Sequence, residues 1–288
     1  MYRGRLAPTP TGRLHLGHAR TFWLAAARAR AAGPEARLVL RIEDLDTPRC
    51  KPEFTAAILD DLRWLRLRWD EGPDVGGPHA PYEQSRRREV YLAAWRQLRD
   101  GGFIYPCARS RADVARAATA PHADEEDAEP LYPPECRPPP GTGCDAPVPV
   151  TPSLSVNWRF RVPDGEAITF HDALRGPQSF IAGKDFGDFL VWRRDDVPAY
   201  ELAVVADDHA MHITEVVRGA DLLKSTARQI LIYRALGWPH PAWCHAPLML
   251  DENGKRLAKR TAAFSLATFR AQDADPQKII EHFSNVIR

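Results

Sequence analysis

The sequence has almost no charge excess of either sign: 39 Lys+Arg stand against 38 Asp+Glu, a formal net charge of +1. That balance removes the global basic field of many nucleic-acid binders and leaves such work to local patches. The N-terminus, "MYRGRLAP", lacks the apolar core of a secretory signal. No apolar run reaches the roughly 18 residues of a membrane-spanning helix. Cysteine is sparse and odd in number. Cys50, Cys107, Cys136, Cys144 and Cys244 are scattered along the chain, as reduced thiols in a cytoplasmic protein would be and a disulfide framework would not. No internal repeat is visible. The absences point to a cytoplasmic chain with no membrane partner.

What is present can build a sizeable core: 44% of 288 residues are apolar. "YRGRLAP" is strand-like, and Pro8, Pro10 and Gly12 then turn the chain. Residues 16–32 favour helix, and Gly33-Pro34 stops it. "ARLVLRIEDLD" follows as a strand with an acidic end. This order, strand–turn–helix–strand, opens a parallel α/β sheet. Helices are predicted over 53–69 and 83–100. Nine prolines then fall between Pro130 and Pro152, a density that no regular element survives. We expect a first catalytic half at 1–104, a loop-rich insertion at 105–152, a second half at 153–260 and a helical tail at 261–288. Within the second half "VNWRFRV", "AITFHDAL", "ITEVVRG" and "APLML" read as strands, and "KSTARQILIYRALG" as an amphipathic helix.

The chemistry concentrates in "APTPTGRLHLGHAR", residues 7–20. A strand turning sharply into a helix leaves free backbone N–H groups, which with the helix dipole form an anion site. Gly17 lets a flat ring approach the backbone. His15 and His18, three residues apart, share one side of the first turn and can donate to phosphate oxygens as charge builds. Taken alone the string also fits a packing glycine beside surface histidines.

In context, "RLAPTPTGRLHLGH" resembles the ATP signature of class I aminoacyl-tRNA synthetases, and most closely the glutamate- and glutamine-specific branch. Three further stretches resemble that branch in the same order: "RIEDLDTPR" (41–49), "YELAVVADDHAMHITEVVRGADLL" (200–223) and "GKRLAKR" (254–260). The resemblance implies a Rossmann-type doubly wound parallel sheet and places Ala7 and Thr9 at the amino acid and Pro8 at ATP. Beside it stands a physical reading. Free glutamate carries two carboxylates and one ammonium, so its pocket needs cationic forks and one anion. Arg5 and Arg218 supply guanidiniums, Glu43 the anion and Tyr200 a hydroxyl. Arg218 argues for glutamate over glutamine, because a neutral amide gains less from a buried cation. In "GKRLAKR" the resemblance sets Lys259 on the second lysine of the Lys-Met-Ser-Lys-Ser loop. Arg256 replaces the first lysine, and Ala258 replaces the serine. ATP brings Mg²⁺, which bridges its phosphates.

The insertion holds a candidate metal set. Glutamyl-type relatives carry a Cys-x-Cys … Tyr-x-x-x-Cys zinc site here, which Cys107, Tyr132 and Cys136 match, while Tyr105 stands at the first cysteine. Zinc prefers thiolate and imidazole, so a loop that has lost the ion is the alternative. "RWLRLRW" (63–69) and "SRRRE" (85–89) are basic enough to meet RNA, or to be solvated helix faces. Only 28 residues follow Arg260, too few for an anticodon-reading domain. That shape resembles the glutamyl-Q tRNA(Asp) synthetases. The resemblance implies a monomer that activates L-glutamate without tRNA and glutamylates queuosine-containing tRNA(Asp). The alternatives are a truncated synthetase charging tRNA(Glu) and a non-catalytic regulator that binds glutamate or its adenylate.

Overall fold

The opening strand–turn–helix–strand unit forms as its sequence predicts, in a computed structural model that describes residues 1–109, 131–145, 156–249 and 265–286. Strands β1 (Arg3–Leu6) and β2 (Arg37–Leu40) run parallel in the register Arg3↔Arg37 to Leu6↔Leu40. Helix α1 (Leu16–Ala31) connects them and turns Ala19, Leu24, Ala25, Ala26 and Ala29 inward. The small side chains let the helix lie close on the sheet. A second parallel pair, β8 (Glu215–Gly219) and β9 (Ala242–Ala246), is joined by α5 (Leu223–Ala235). The two pairs meet where the Thr214 N–H donates to the Arg3 carbonyl at 2.9 Å. Beyond β9 lie β5 (Ala167–Asp172), parallel through Asp172↔Trp243, and β6 (Gly176–Ile181), antiparallel to β5. The result is the α/β class with a parallel sheet that the sequence led us to expect.

A second layer surrounds an antiparallel sheet of β3 (Ile104–Cys107), β4 (Asn157–Phe160) and β7 (Phe189–Trp192). Against it pack α3 (Arg88–Asp100) and α4 (Tyr200–Ala210). Trp95 meets Trp158 and Trp192 edge-on, at centroid distances of 4.8 and 6.4 Å, the geometry favoured by aromatic quadrupoles. The tail forms α6 (Leu266–Ala271) and α7 (Pro276–Val286) and returns to α1, with the ring of buried Phe283 6.3 Å from that of Trp23.

Four sequence expectations are corrected. Residues 104–107 are strand, because "IYPC" pairs with Asn157–Phe160 across the expected loop. Among the described residues the last strand is "AWCHA", which ends at Ala246 and does not run on through 247–249, since Pro247 has no N–H to continue the ladder. Helix α2 (Pro52–Trp64) stops short of 69, where Arg66 turns left-handed at φ 56°. The 83–100 helix begins as one 3₁₀ turn, Gln84–Arg86, before α3. All five cysteines are free. Among the described residues no helix is long and apolar enough to cross a membrane.

Candidate active site

Parallel α/β sheets gather ligands beyond the carboxyl ends of their strands. Arg5 lies near that end of β1, Arg218 near that end of β8, and Glu43 just past β2. All three line one cavity of about 480 Å³, together with Ala7, Pro8, Thr9 and Tyr200. His15, Gly17 and His18 line the same cavity. Every described residue that the sequence singled out for amino acid or nucleotide is thus brought together. Arg256, Ala258 and Lys259 lie outside the described residues. The chain flanking them is at the site: Met249 lines the cavity, and Ser265 bridges His15.

The nucleotide end is built by a helix start. His15 is the N-cap of α1 and its Nδ1 accepts the Gly17 N–H at 3.1 Å. That bond leaves the proton of a neutral His15 on Nε2. The ring stacks on His18 at 3.7 Å between centroids. A Cβ at Gly17 would sit 3.0 Å from the His15 ring. The glycine therefore makes room for the cap itself, at the helix end whose dipole is positive.

The amino-acid end rests on buried charge that the sequence reading missed. Arg41, fully buried, donates to Asp208 at 2.7 Å and Glu43 at 3.1 Å and lies 3.6 Å from Asp207. Asp207 also accepts from Arg87 at 2.7 Å, Gln84 at 2.8 Å and Tyr91 at 3.0 Å. Arg5 donates to the Val217 carbonyl at 2.7 Å and stands 3.7 Å from Asp208. Burial alone would lower the Arg41 guanidinium, but Asp208, Asp207 and Glu43 hold it well above its ordinary value. Burial also raises the Glu43 carboxyl, against the lowering pull of Arg41 and Arg5. The signal for this network was present: Arg41 opens "RIEDLD", and a helix burying most of "ELAVVADD" must bury two aspartates with it. Buried carboxylates require partners.

The proposed zinc set does not fit the metal. The Tyr105 hydroxyl donates to Asp188 at 2.6 Å, and burial keeps that phenol well above its usual range. The Tyr132 hydroxyl donates to the Cys136 carbonyl at 3.1 Å and lies 3.4 Å from the Cys107 sulfur. Arg159 covers the Tyr132 ring at 4.4 Å, and Arg137 ties Asp188 to Asp164. Zinc needs deprotonated, soft ligands closing a tetrahedron; here two thiols face two phenols with occupied hydroxyls. Among the described residues no three His, Cys, Asp or Glu form a metal-holding group. Tyr105, Cys107, Tyr132 and Cys136 pack as a small core.

The basic stretches are only partly spent internally. Arg63 and Trp69 both hold Asp74, at 2.6 and 2.8 Å, while Arg63, Arg66 and Arg68 stay exposed. Arg87 is buried on Asp207, and Arg88 grips Asp196 at 2.7 Å. Of the three arginines in "SRRRE" only Arg86 is largely exposed, at 67%.

Fold and cavity together define a nucleotide-binding α/β catalytic domain. Residues 1–286 match the family of tRNA synthetases class I (E and Q), catalytic domain. The chain is 50% identical to the glutamyl-Q tRNA(Asp) synthetase of Symbiobacterium thermophilum, over 99% of this chain and 86% of that protein. It is 46% identical to that of Nitratidesulfovibrio vulgaris, over 94% and 81%. A glutamate tRNA ligase from Elizabethkingia meningosepticum, solved in complex with its amino acid, superposes with a TM-score of 0.76 at 33% identity, covering 90% of this chain and 52% of that one. The chain belongs to the class I glutamyl- and glutaminyl-type synthetase family, in the branch of the glutamyl-Q tRNA(Asp) synthetases.

Proposed function

We propose that this chain, as a monomer, activates L-glutamate with ATP in the absence of tRNA and transfers the glutamyl group to the queuosine base at the wobble position of tRNA(Asp). One observation carries the reading: a single cavity joins a histidine-capped helix start to two buried guanidiniums and a buried carboxylate. Arg5 and Arg218 take the carboxylates of glutamate, Glu43 its ammonium, and Tyr200 donates a hydroxyl. His15, His18 and the first-turn N–H groups of α1 take the phosphates of ATP, which arrives with Mg²⁺. Pro8 and Gly17 shape the nucleotide end, and Ala7 and Thr9 the wall beside the amino acid. A glutamate carboxylate oxygen attacks the α-phosphorus in line. The bond to the leaving oxygen breaks and pyrophosphate departs, its charge neutralised by Arg256 and Lys259. The protein contributes position and charge stabilisation. A hydroxyl of queuosine then attacks the acyl carbon and AMP leaves.

The deciding assay supplies labelled glutamate, ATP and purified tRNAs. Label should enter queuosine-containing tRNA(Asp) and not the same tRNA lacking queuosine. Better transfer to unmodified tRNA(Glu) would refute the acceptor and favour a synthetase charging the 3′ end. Absence of glutamate-dependent ATP–pyrophosphate exchange without tRNA would refute the first step. In that exchange Arg218→Ala should cost about 2–5 kcal/mol of glutamate binding, the loss of one partner of a buried charged contact.

A further inference from the structure

Arg218 is aimed by neighbours that the sequence did not single out. Its Nε donates to His245 Nε2 at 3.1 Å, and its Nη2 donates to the Thr226 hydroxyl at 2.7 Å. Behind the imidazole, His245 Nδ1 meets Asp172 Oδ2 at 2.6 Å. Asp172 is itself pinned, accepting the backbone N–H groups of His245, Leu174 and Arg175 at 3.2, 3.0 and 2.9 Å. The residues come from β5, β8, β9 and α5, so adjacent elements of the sheet layer converge on one side chain. His245 and Asp172 are both fully buried. Trp243 lies under the guanidinium, 5.3 Å from its centre.

We infer that His245, oriented by Asp172, is a positioning residue that selects glutamate: it accepts from Arg218 as a neutral imidazole and so leaves the guanidinium's charge uncompensated for the substrate carboxylate. This rests on the pocket reading above. The logic is one of hydrogen-bond capacity. A carboxylate at Asp172 accepts a hydrogen bond from the Nδ1–H of the ring and so holds the tautomer that leaves Nε2 as a bare acceptor. Nε2 faces the Arg218 Nε–H, a contact an imidazolium could not make. Burial and the neighbouring Arg218 oppose a charge on the ring and push His245 down to about 4, so it stays neutral at physiological pH. Arg218 thereby commits its Nε and one Nη2 hydrogen to neutral partners. Its Nη1 is buried and has no partner among the described residues, in a side chain that lines the cavity. A carboxylate placed directly at position 245 would hold Arg218 as firmly, but would neutralise the cation that a dicarboxylic substrate needs. Interposing an imidazole keeps the anion, Asp172, one ring further away.

The test reads glutamate and ATP affinities separately, by calorimetric titration of the full chain, with His245→Leu, His245→Gln and Asp172→Asn. His245→Leu should weaken glutamate roughly ten- to hundredfold, the loss of a hydrogen bond to a charged group. His245→Gln, whose carbonyl can accept from Nε, should stay within about threefold. Asp172→Asn lets the ring adopt the other tautomer and should lie between them. ATP affinity should change less than about twofold in each. Nitrogen NMR of the wild-type ring gives an independent readout: Nδ1 protonated and Nε2 bare at neutral pH. A protonated Nε2 overturns the inference whatever the affinities show. Equal glutamate affinity in wild type and His245→Leu, or parallel losses for glutamate and ATP, overturns the positioning role alone. Failure of the wild type to bind glutamate overturns the pocket reading and this inference with it.

Discussion

Replacing Arg41 with methionine should damage folding and the site at once. The guanidinium is 0% exposed and stands among Asp208, Glu43 and Asp207 at 2.7, 3.1 and 3.6 Å. Asp207 would survive the change with Arg87, Gln84 and Tyr91 still bonded to it. Asp208 would keep only Arg5, at 3.7 Å, and Glu43 would lose its nearest cation. Breaking a buried ion pair from one side costs about 3–5 kcal/mol, and two of the three acids bear the cost here, so about 4 kcal/mol is expected. That is a large part of the roughly 5–15 kcal/mol that holds a domain folded. The deficit has a pH signature. Burial already raises the Glu43 carboxyl, and without the lowering pull of Arg41 it rises further, so the native state binds a proton that the unfolded state does not. Stability then falls as pH rises. The deficit should be larger near about pH 8 than near about pH 5.5 in urea unfolding. Arg41→Lys should recover part of it. Glutamate affinity should fall as well, because a protonated Glu43 cannot hold an ammonium. A deficit below about 1 kcal/mol, the worth of a surface pair, or one that grows in acid, would refute this account of the network.

Three further outcomes are expected. Purified protein should carry well under one zinc per chain, and a strong chelator should leave its unfolding midpoint unchanged. Tyr105→Phe, which strips a donor from buried Asp188, should cost about 1–3 kcal/mol. Stoichiometric zinc with a midpoint lowered by chelation would contradict the closed Tyr–Asp arrangement. His245 predicts acid lability. Its pKa falls from 6.5 to about 4 on folding, so its share of stability is whole above the unfolded value and is lost as pH drops toward the folded one, about 3 kcal/mol in all. Urea unfolding of wild type and His245→Gln across that range should show the variant losing less by that amount; equal losses would refute it.

What the sequence revealed, and what it hid, divides along sequence distance. The turn from β1 into α1 was legible because prolines, glycines and capping histidines act within a few residues. The two cavity guanidiniums were legible because they sit at fixed places in recognisable stretches. Arg87 was misread as surface because its partner, Asp207, is 120 positions away, and Arg41 was passed over because Asp208 lies 167 positions off. No local pattern records such pairings. The metal question failed differently. The spacing of Cys107, Tyr132 and Cys136 is visible in the string, but the occupation of Tyr105 by Asp188 appears only once β3 is in place.

The guanidiniums that face the cavity share a feature that accounts for a preference for a dicarboxylic amino acid. Arg5 is held by a backbone carbonyl at 2.7 Å, with its carboxylate neighbour Asp208 at 3.7 Å and already bonded to Arg41. Arg218 is held by an imidazole and a hydroxyl. Among the described residues neither is closed off by a short, dedicated ion pair, although both are only 4% exposed. An isolated buried charge is costly, and a substrate carboxylate relieves that cost where a neutral amide offers only a dipole. Glutamine fits the same volume as glutamate, so shape cannot separate them. On the proposed reading of the pocket the selection is electrostatic, and it is set by what the fold withholds from these two arginines as much as by the arginines themselves.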